Sequence, residues 1–255
     1  MMKAVFIDID NTLLDFDEFV RSTMKKGFAH FGLREYEPWM YKTFKEENDK
    51  LWNRIEQGTL TFTELKKIRW NMIFEVLDIK FDGNVFEEYF RKEFYDSAII
   101  IPGAMDMLEA LHGKYILCAA SNGPYGQQMN RIAVAGMDKY FDYSFISEKI
   151  GASKPASEYY DEAFRILNKG RDKKIQPEDT VMVGDSFSSD MTGGSNYGMK
   201  TCFYRRDPSK EMPEAMSDKI DAVVDSLTDI PEAVHRLFAF TESSQNLLAL
   251  SIDEC

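Results

Sequence analysis

The chain of 255 residues is long enough for one large α/β domain or two smaller ones, and 44% hydrophobic with 29% charged residues is an ordinary soluble globular composition. Its 43 acidic and 31 basic residues leave a net charge of −12, which argues against nucleic acid or an anionic membrane surface as a main partner, because both are bound through Lys and Arg charge. No run approaches the roughly 18 apolar residues of a membrane span, the apolar N-terminus is interrupted at Asp8 before it reaches signal-peptide length, and Cys118, Cys202 and Cys255 form no metal pattern, so a reducing, cytoplasmic location is expected.

Residues 3–8 read as a buried strand that closes on a carboxylate. Helical patterns follow over 16–32, 37–57, 61–78 and 83–96, broken by Gly, Pro and Asp. Leu65, Ile68, Met72 and Val76 step by three and four, as do Phe86, Tyr89, Phe90 and Phe94. After Pro102-Gly103 the pattern alternates. Helix 103–112 leads to strand 115–120, helix 124–136, strand 142–147, helix 156–168 and strand 179–184. Helix 188–197, strands 200–204 and 221–224 and helix 230–240 complete it.

This alternation predicts an α/β fold, a doubly wound parallel sheet with helices on both faces, and functional groups at the carboxyl ends of its strands. The helical stretch interrupts it after the first strand. The expected domains are therefore an α/β core from 1–15 plus 99–255 and an inserted all-helical domain from 16–98. The insert holds 18 of the 34 aromatic residues, with all three tryptophans, Trp39, Trp52 and Trp70. Most of them are expected to fill the core of a small bundle, with one or two facing a ligand.

Four clusters carry candidate chemistry. Asp8 and Asp10 stand at and just past the first strand's end, where two close carboxylates favour a hard cation such as Mg²⁺, although an acidic loop reads the same way. Gly184-Asp185-Ser186 with Asp190 repeats the arrangement after strand 179–184, where Ser and Asp also suit helix capping. Ser121-Asn122-Gly123 offers phosphate-oxygen donors or an ordinary turn. Lys154 is a solvated surface charge or the one fixed cation among these carboxylates.

Taken together, Asp8-Ile9-Asp10-Asn11-Thr12, Ser121, Lys154 and Gly184-Asp185 with Asp190 resemble, in order, the four motifs of the haloacid dehalogenase superfamily of phosphohydrolases. The insert resembles that superfamily's helical cap on a Rossmann-like core. The resemblance implies Asp8 as the nucleophile that takes the phosphoryl group and Asp10 as general acid, then base. It implies Mg²⁺ held by Asp8, the Asp10 backbone carbonyl and Asp185, with Asp190 supporting from behind or through water. Ser121, the backbone after it and the Asn122 side chain would hold phosphoryl oxygens, Lys154 would neutralise charge, and Thr12 would brace the turn.

Longer stretches, from Asp10 to Phe19, Ser147 to Pro155 and Met182 to Gly194, are similar to the pyrimidine 5′-nucleotidase branch, as are Leu51-Trp52 and Gly58-Thr59-Leu60-Thr61. Ser121 departs from that branch's usual Thr. The substrate that the resemblance implies is a small phosphomonoester, a nucleoside monophosphate of the pyrimidine kind. A phosphatase of another small metabolite, such as a sugar phosphate, is the alternative. A phospho-receiver or silent binding protein is disfavoured by the 16–98 insert and the full motif set. The chain is expected as a monomer or homodimer. The tail 241–255 has no assigned role, and its Leu247, Leu248, Leu250 and Ile252 suit packing on the body or on a second subunit.

Overall fold

In β1 (Ala4–Ile7) every side chain is buried, and successive ones alternate sides: Val5 and Ile7 join one hydrophobic cluster, Ala4 and Phe6 another. That is the two-residue period of a strand covered on both faces. The computed structural model describes residues 2–209 and 211–239. After β1 come four helices, α1 (Phe16–His30), α2 (Trp39–Glu56), α3 (Phe62–Val76) and α4 (Gly83–Tyr95). The chain continues through α5 (Ala104–Leu111), β2 (Ile116–Ser121), α6 (Tyr125–Val134), β3 (Tyr143–Ile146), α7 (Ser147–Ile150), α8 (Ser157–Leu167) and β4 (Thr180–Gly184). It closes with α9 (Thr192–Asn196), β5 (Lys200–Tyr204), β6 (Ala222–Val224) and a helix over 230–239, α10.

The six strands form one parallel sheet in the order β3-β2-β1-β4-β5-β6. On one face Met107 and Leu108 of α5, Ile132 of α6 and Val234 and Phe238 of α10 cover Val5, Ile7, Leu117 and Val183. On the other, Tyr159, Tyr160 and Phe164 of α8 cover Phe6, Cys118 and Met182. The order reverses at β1, so the crevice at the carboxyl ends of β1, β2 and β4 is where such a sheet binds ligands.

Helices α1 to α4 bury a separate apolar cluster that includes Phe28, Trp70, Phe74, Phe86 and Phe90. Trp70 and Phe86 stand 4.3 Å apart between ring centroids. Local chemistry starts these helices. The Asp15 side chain accepts from the Glu18 N–H, Thr61 and Glu64 form a reciprocal capping box, and Asp82 accepts from Asn84. The two chain crossings that join these helices to the sheet are hydrogen-bonded to each other, Asp15 N to Ile99 O at 2.7 Å and Ile101 N to Leu13 O at 3.0 Å.

The expected helix 188–197 is replaced by a π-turn, Phe187–Met191, that runs into the five-residue α9. Ser186 caps the turn at Ser189 N, and the wider turn carries Asp190 inward to full burial. The tail 241–255, with Cys255, lies outside the described residues. Burial pushes the Cys202 thiol up to about 12 and Cys118 well above its usual value, as befits thiols packed as small apolar groups. Among the described residues no helix is long and apolar enough to cross a membrane.

Candidate active site

Three strand tips supply the floor of the site. Asp8 follows β1 and stays in line with β4 through a hydrogen bond from its N–H to Val183 O at 2.9 Å. Ser121 ends β2, and Asp185 follows the last residue of β4. The residue types match their positions: apolar strand interiors, then polar groups where the chain leaves the sheet.

Lys154, in the loop between α7 and α8, reaches this floor from the side and is 1% exposed. Its Nζ donates to Asp8 Oδ1 at 2.8 Å, Asp190 Oδ1 at 2.7 Å and the Ala120 carbonyl at 2.7 Å. Lys154 is thus a buried, fixed cation among these carboxylates and not a solvated surface charge. The Asn122 amide receives the Lys154 N–H at 2.9 Å and donates to the Lys154 carbonyl at 2.9 Å. Its side chain therefore clamps the lysine loop.

Asp190 is fully buried, with Oδ1 on Lys154 and Oδ2 accepting from the Ser186 N–H at 3.1 Å. Carboxylate oxygens of Asp8, Asp185 and Asp190 all lie within 4.8 Å of one another. Burial pushes the Asp8 carboxyl well above its usual range, Lys154 opposes this, and Asp190 and Asp185 add to it. Burial alone would depress the Lys154 ammonium, but Asp190 and Asp8 hold it well above its ordinary value. Three crowded oxygen donors with one cation between two of them fit a further hard cation, which relieves the remaining repulsion.

The Asp10 carboxylate is turned to α6 instead. Its Oδ1 accepts from Arg131 Nη1 at 2.6 Å and its Oδ2 from Gln128 Nε2 at 2.7 Å. Gln128 Nε2 also donates to Ser121 Oγ at 2.7 Å, and Arg131 Nε donates to the Ser97 carbonyl at 3.1 Å. Neither α6 residue was singled out from sequence. The available signal was weak: two polar side chains three apart on a short helix, both buried at 1% exposure or less. Asn11 adopts φ of 62°, a left-handed geometry that Asn tolerates, and its amide ties the turn to Asp17 and Arg206. Thr12 is fully buried, and its hydroxyl has no hydrogen-bond partner among the described residues. The turn is braced instead by backbone bonds from Leu13 and Leu14 to the Ile9 carbonyl at 2.8 and 2.9 Å.

Above this floor lies a cavity of about 440 Å³. Helices α2 to α4 and their connections contribute Tyr41, Phe44, Trp52, Phe62 and Phe94 to its walls.

A doubly wound parallel sheet with a cation-ready acidic edge, a buried lysine and a helical insertion over that edge is the architecture of one class of hydrolase with a Rossmann-like core. The chain belongs to the haloacid dehalogenase-like hydrolases, whose family profile matches residues 2–198. It is 30% identical over 204 residues to the pyrimidine 5′-nucleotidase PynA of Streptococcus pneumoniae, covering 79% of this chain and 83% of that one. It is 28% identical over 214 residues to the HAD-hydrolase YfnB of Bacillus subtilis, covering 83% and 88%. The magnesium-bound crystal structure of YfnB superposes with a TM-score of 0.80 at 25% identity, covering 92% of this chain and 99% of that one. The pyrimidine 5′-nucleotidase YjjG of Escherichia coli is 27% identical over 213 residues, covering 84% and 90%.

Proposed function

We propose that the protein is a Mg²⁺-dependent phosphomonoester hydrolase acting through an aspartyl phosphate on Asp8, with nucleoside monophosphates, pyrimidine ones foremost, as substrates. The observation that carries this reading is Lys154 bridging Asp8 and Asp190 beside Asp185 at the reversal point of the sheet.

In the first step an Asp8 oxygen attacks phosphorus, the bond to the leaving oxygen breaks, and Asp10, turned from Arg131 and Gln128 to the leaving oxygen, gives it a proton. In the second, Asp10 takes a proton from water, the water oxygen bonds to phosphorus, and the Asp8 carboxylate is regenerated with inorganic phosphate. Lys154 offsets the charge that accumulates between Asp8 and the phosphoryl oxygens. Ser121 Oγ accepts from the Gln128 amide nitrogen, which only donates, so its own proton is available for a phosphoryl oxygen. Asp8, Asp185 and the Asp10 carbonyl would hold Mg²⁺, which would supply positive charge to the phosphoryl group. Both Asp190 oxygens are engaged with Lys154 and Ser186, which supports a place behind the cation for Asp190.

Residues 16–98 act in this reading as a cap that closes over the site about the paired crossings, excluding water. The aromatic wall of the cavity suits a nucleobase, and PynA and YjjG are named as pyrimidine 5′-nucleotidases. A cytoplasmic monomer or homodimer, where nucleoside monophosphates and Mg²⁺ meet, completes the proposal.

The test is phosphate release from UMP, CMP, dTMP, AMP, ribose 5-phosphate and p-nitrophenyl phosphate, with Mg²⁺ and with EDTA. Mg²⁺-dependent release, highest in kcat/KM for pyrimidine nucleotides and lost in Asp8→Asn, is expected. No metal-dependent release from any of them overturns the hydrolase reading, and a higher kcat/KM for the sugar phosphate overturns the nucleotide assignment.

A further inference from the structure

Three buried polar residues of the helical unit take no part in the steps above. Asn48 of α2, Arg69 of α3 and Glu87 of α4 are each 4% exposed. Arg69 grips Glu87 through Nε at 3.0 Å and Nη2 at 2.7 Å, and its Nη1 donates to Asn48 Oδ1 at 3.4 Å. The guanidinium also lies over the Phe90 ring at 4.7 Å. Asn48 and Arg69 line the cavity that contains Asp8 and Lys154, whereas Glu87 is not part of its wall.

A buried ion pair is weak support for a small bundle, because apolar side chains of similar size often serve stability equally well. What this pair does is orient an amide. A guanidinium has donors only, so the Asn48 carbonyl oxygen must face Arg69, and the NH₂ group takes the other side. No described residue accepts from Asn48 Nδ2. The wall therefore presents a nearly buried donor pair, held in orientation, at the edge of the cavity.

The surroundings narrow what that donor reads. Phe44, Asn48 and Trp52 follow one another at four-residue intervals on α2 and all line the cavity. Trp52 packs on Phe62 with ring centroids 6.0 Å apart. The stripe is aromatic, amide, aromatic. The cations of this wall are matched by acids: Arg69 by Glu87, and Lys45 by Asp49 at 3.1 Å. Asp17 and Glu56 add further negative charge against Arg91. A second phosphate or carboxylate on the substrate finds no surplus of positive charge there. An uncharged planar ring bearing a carbonyl oxygen meets both a donor and aromatic faces.

We infer that Asn48, held in orientation by the Arg69–Glu87 pair, is the specificity-determining donor of this enzyme and reads a ring carbonyl of the leaving group, as the C2 or C4 carbonyl of a pyrimidine base provides. The inference rests on the proposed hydrolase function and names the part of the substrate that the helical unit recognises. Arg69 and Glu87 are positioning residues in it.

The experiment compares wild type with Asn48→Asp, which is isosteric, removes both amide donors and leaves a group that Arg69 can still pair with, and with Asn48→Ala as a second variant. The ratio of kcat/KM for UMP to that for ribose 5-phosphate, which carries the same cleaved phosphate and no base, is the readout. It should fall at least tenfold in both variants, the loss lying in KM for UMP. Calorimetric binding of uridine, which has no phosphate, should weaken by a similar factor. The double variant Arg69→Met/Glu87→Leu should lose the same discrimination. A parallel fall for both substrates, or an unchanged ratio, overturns the inference and leaves the hydrolase reading standing. So does a wild-type enzyme that hydrolyses ribose 5-phosphate as well as UMP. Absence of Mg²⁺-dependent phosphate release from either substrate in wild type overturns the hydrolase reading itself.

Discussion

A Cβ placed on Gly184 would lie 2.1 Å from Asp190 Oδ2. The tip of β4 and the Asp190 carboxylate can approach as they do only because residue 184 has no side chain. Gly184→Ala should therefore push Asp190 off Lys154 and the Ser186 N–H, destabilise the fold by about 1–3 kcal/mol as overpacking does, and cut phosphate release. Chemical unfolding and steady-state kinetics read the two effects, and a variant with wild-type kinetics refutes the role given to this contact. Asp10→Asn should lower kcat for UMP by about 10²–10⁴. The loss should be smaller for p-nitrophenyl phosphate in the first step, whose leaving oxygen needs no proton, so pre-steady-state mixing should show a burst of p-nitrophenol. Equal losses and no burst would contradict Asp10 as the acid. Asp8 and Asp185 could be picked out beforehand because each directly follows an apolar strand, whereas Asp10, Lys154 and Asp190 stood out only through the order of the four motifs and the resemblance they carry. Gln128, Arg131, Asn48 and Arg69 could not. On a helix a polar side chain reads as solvent-facing, and only tertiary placement shows these four buried.

Helix α6 joins the reacting edge to the helical unit. Its Arg131 guanidinium touches Asp10 and the Ser97 carbonyl at once and lies 3.9 Å from the Phe94 ring centroid, while Asn130 donates to the Tyr95 carbonyl at 2.7 Å. Arg131→Lys keeps the charge and loses the planar fork. Its expected result is a fall in kcat of about tenfold with little change in KM, together with faster proteolytic cleavage near residues 97–99, on the scale of one lost charged hydrogen bond. Within the helical unit Phe86 is fully buried against Trp70, Phe74 and Phe28. Phe86→Ala should cost about 3–5 kcal/mol. Because all three tryptophans belong to residues 16–98, tryptophan fluorescence should report that loss at lower denaturant than far-ultraviolet circular dichroism of the whole chain. Coincident transitions would mean that the helices and the sheet unfold as one. The helices of this unit were legible from their three-and-four spacing, and the strands from short apolar runs. The π-turn at Phe187–Met191 was not, since Ser and Asp at a helix start look alike whether the turn tightens normally or widens to bury Asp190.

At the scale of the molecule the net charge of −12 is a burden that the site turns to use. Carboxylates are spread over the surface, but Asp8, Asp185 and Asp190 are packed together, and burial has already raised Asp8 well above its ordinary range. A cation that binds this folded cluster and not the unfolded chain must stabilise the fold by mass action, by about 2.7 kcal/mol at a hundred times its dissociation constant. For a chain of this size that corresponds to a rise in Tm of about 5–10 °C. General screening of the surface charge by salt would also stabilise the protein, and the two effects separate cleanly. Mg²⁺ should raise Tm well beyond NaCl of matched ionic strength, and Asp185→Asn, which removes a donor without adding charge, should keep the salt response and lose most of the Mg²⁺ response. Equal shifts from MgCl₂ and matched NaCl, or an undiminished Mg²⁺ shift in Asp185→Asn, would show that the acidic edge is ordinary surface charge. The expected difference would mean that an acidic protein accepts an anionic phosphate because the field reverses locally, where Lys154 and a bound cation stand among its carboxylates.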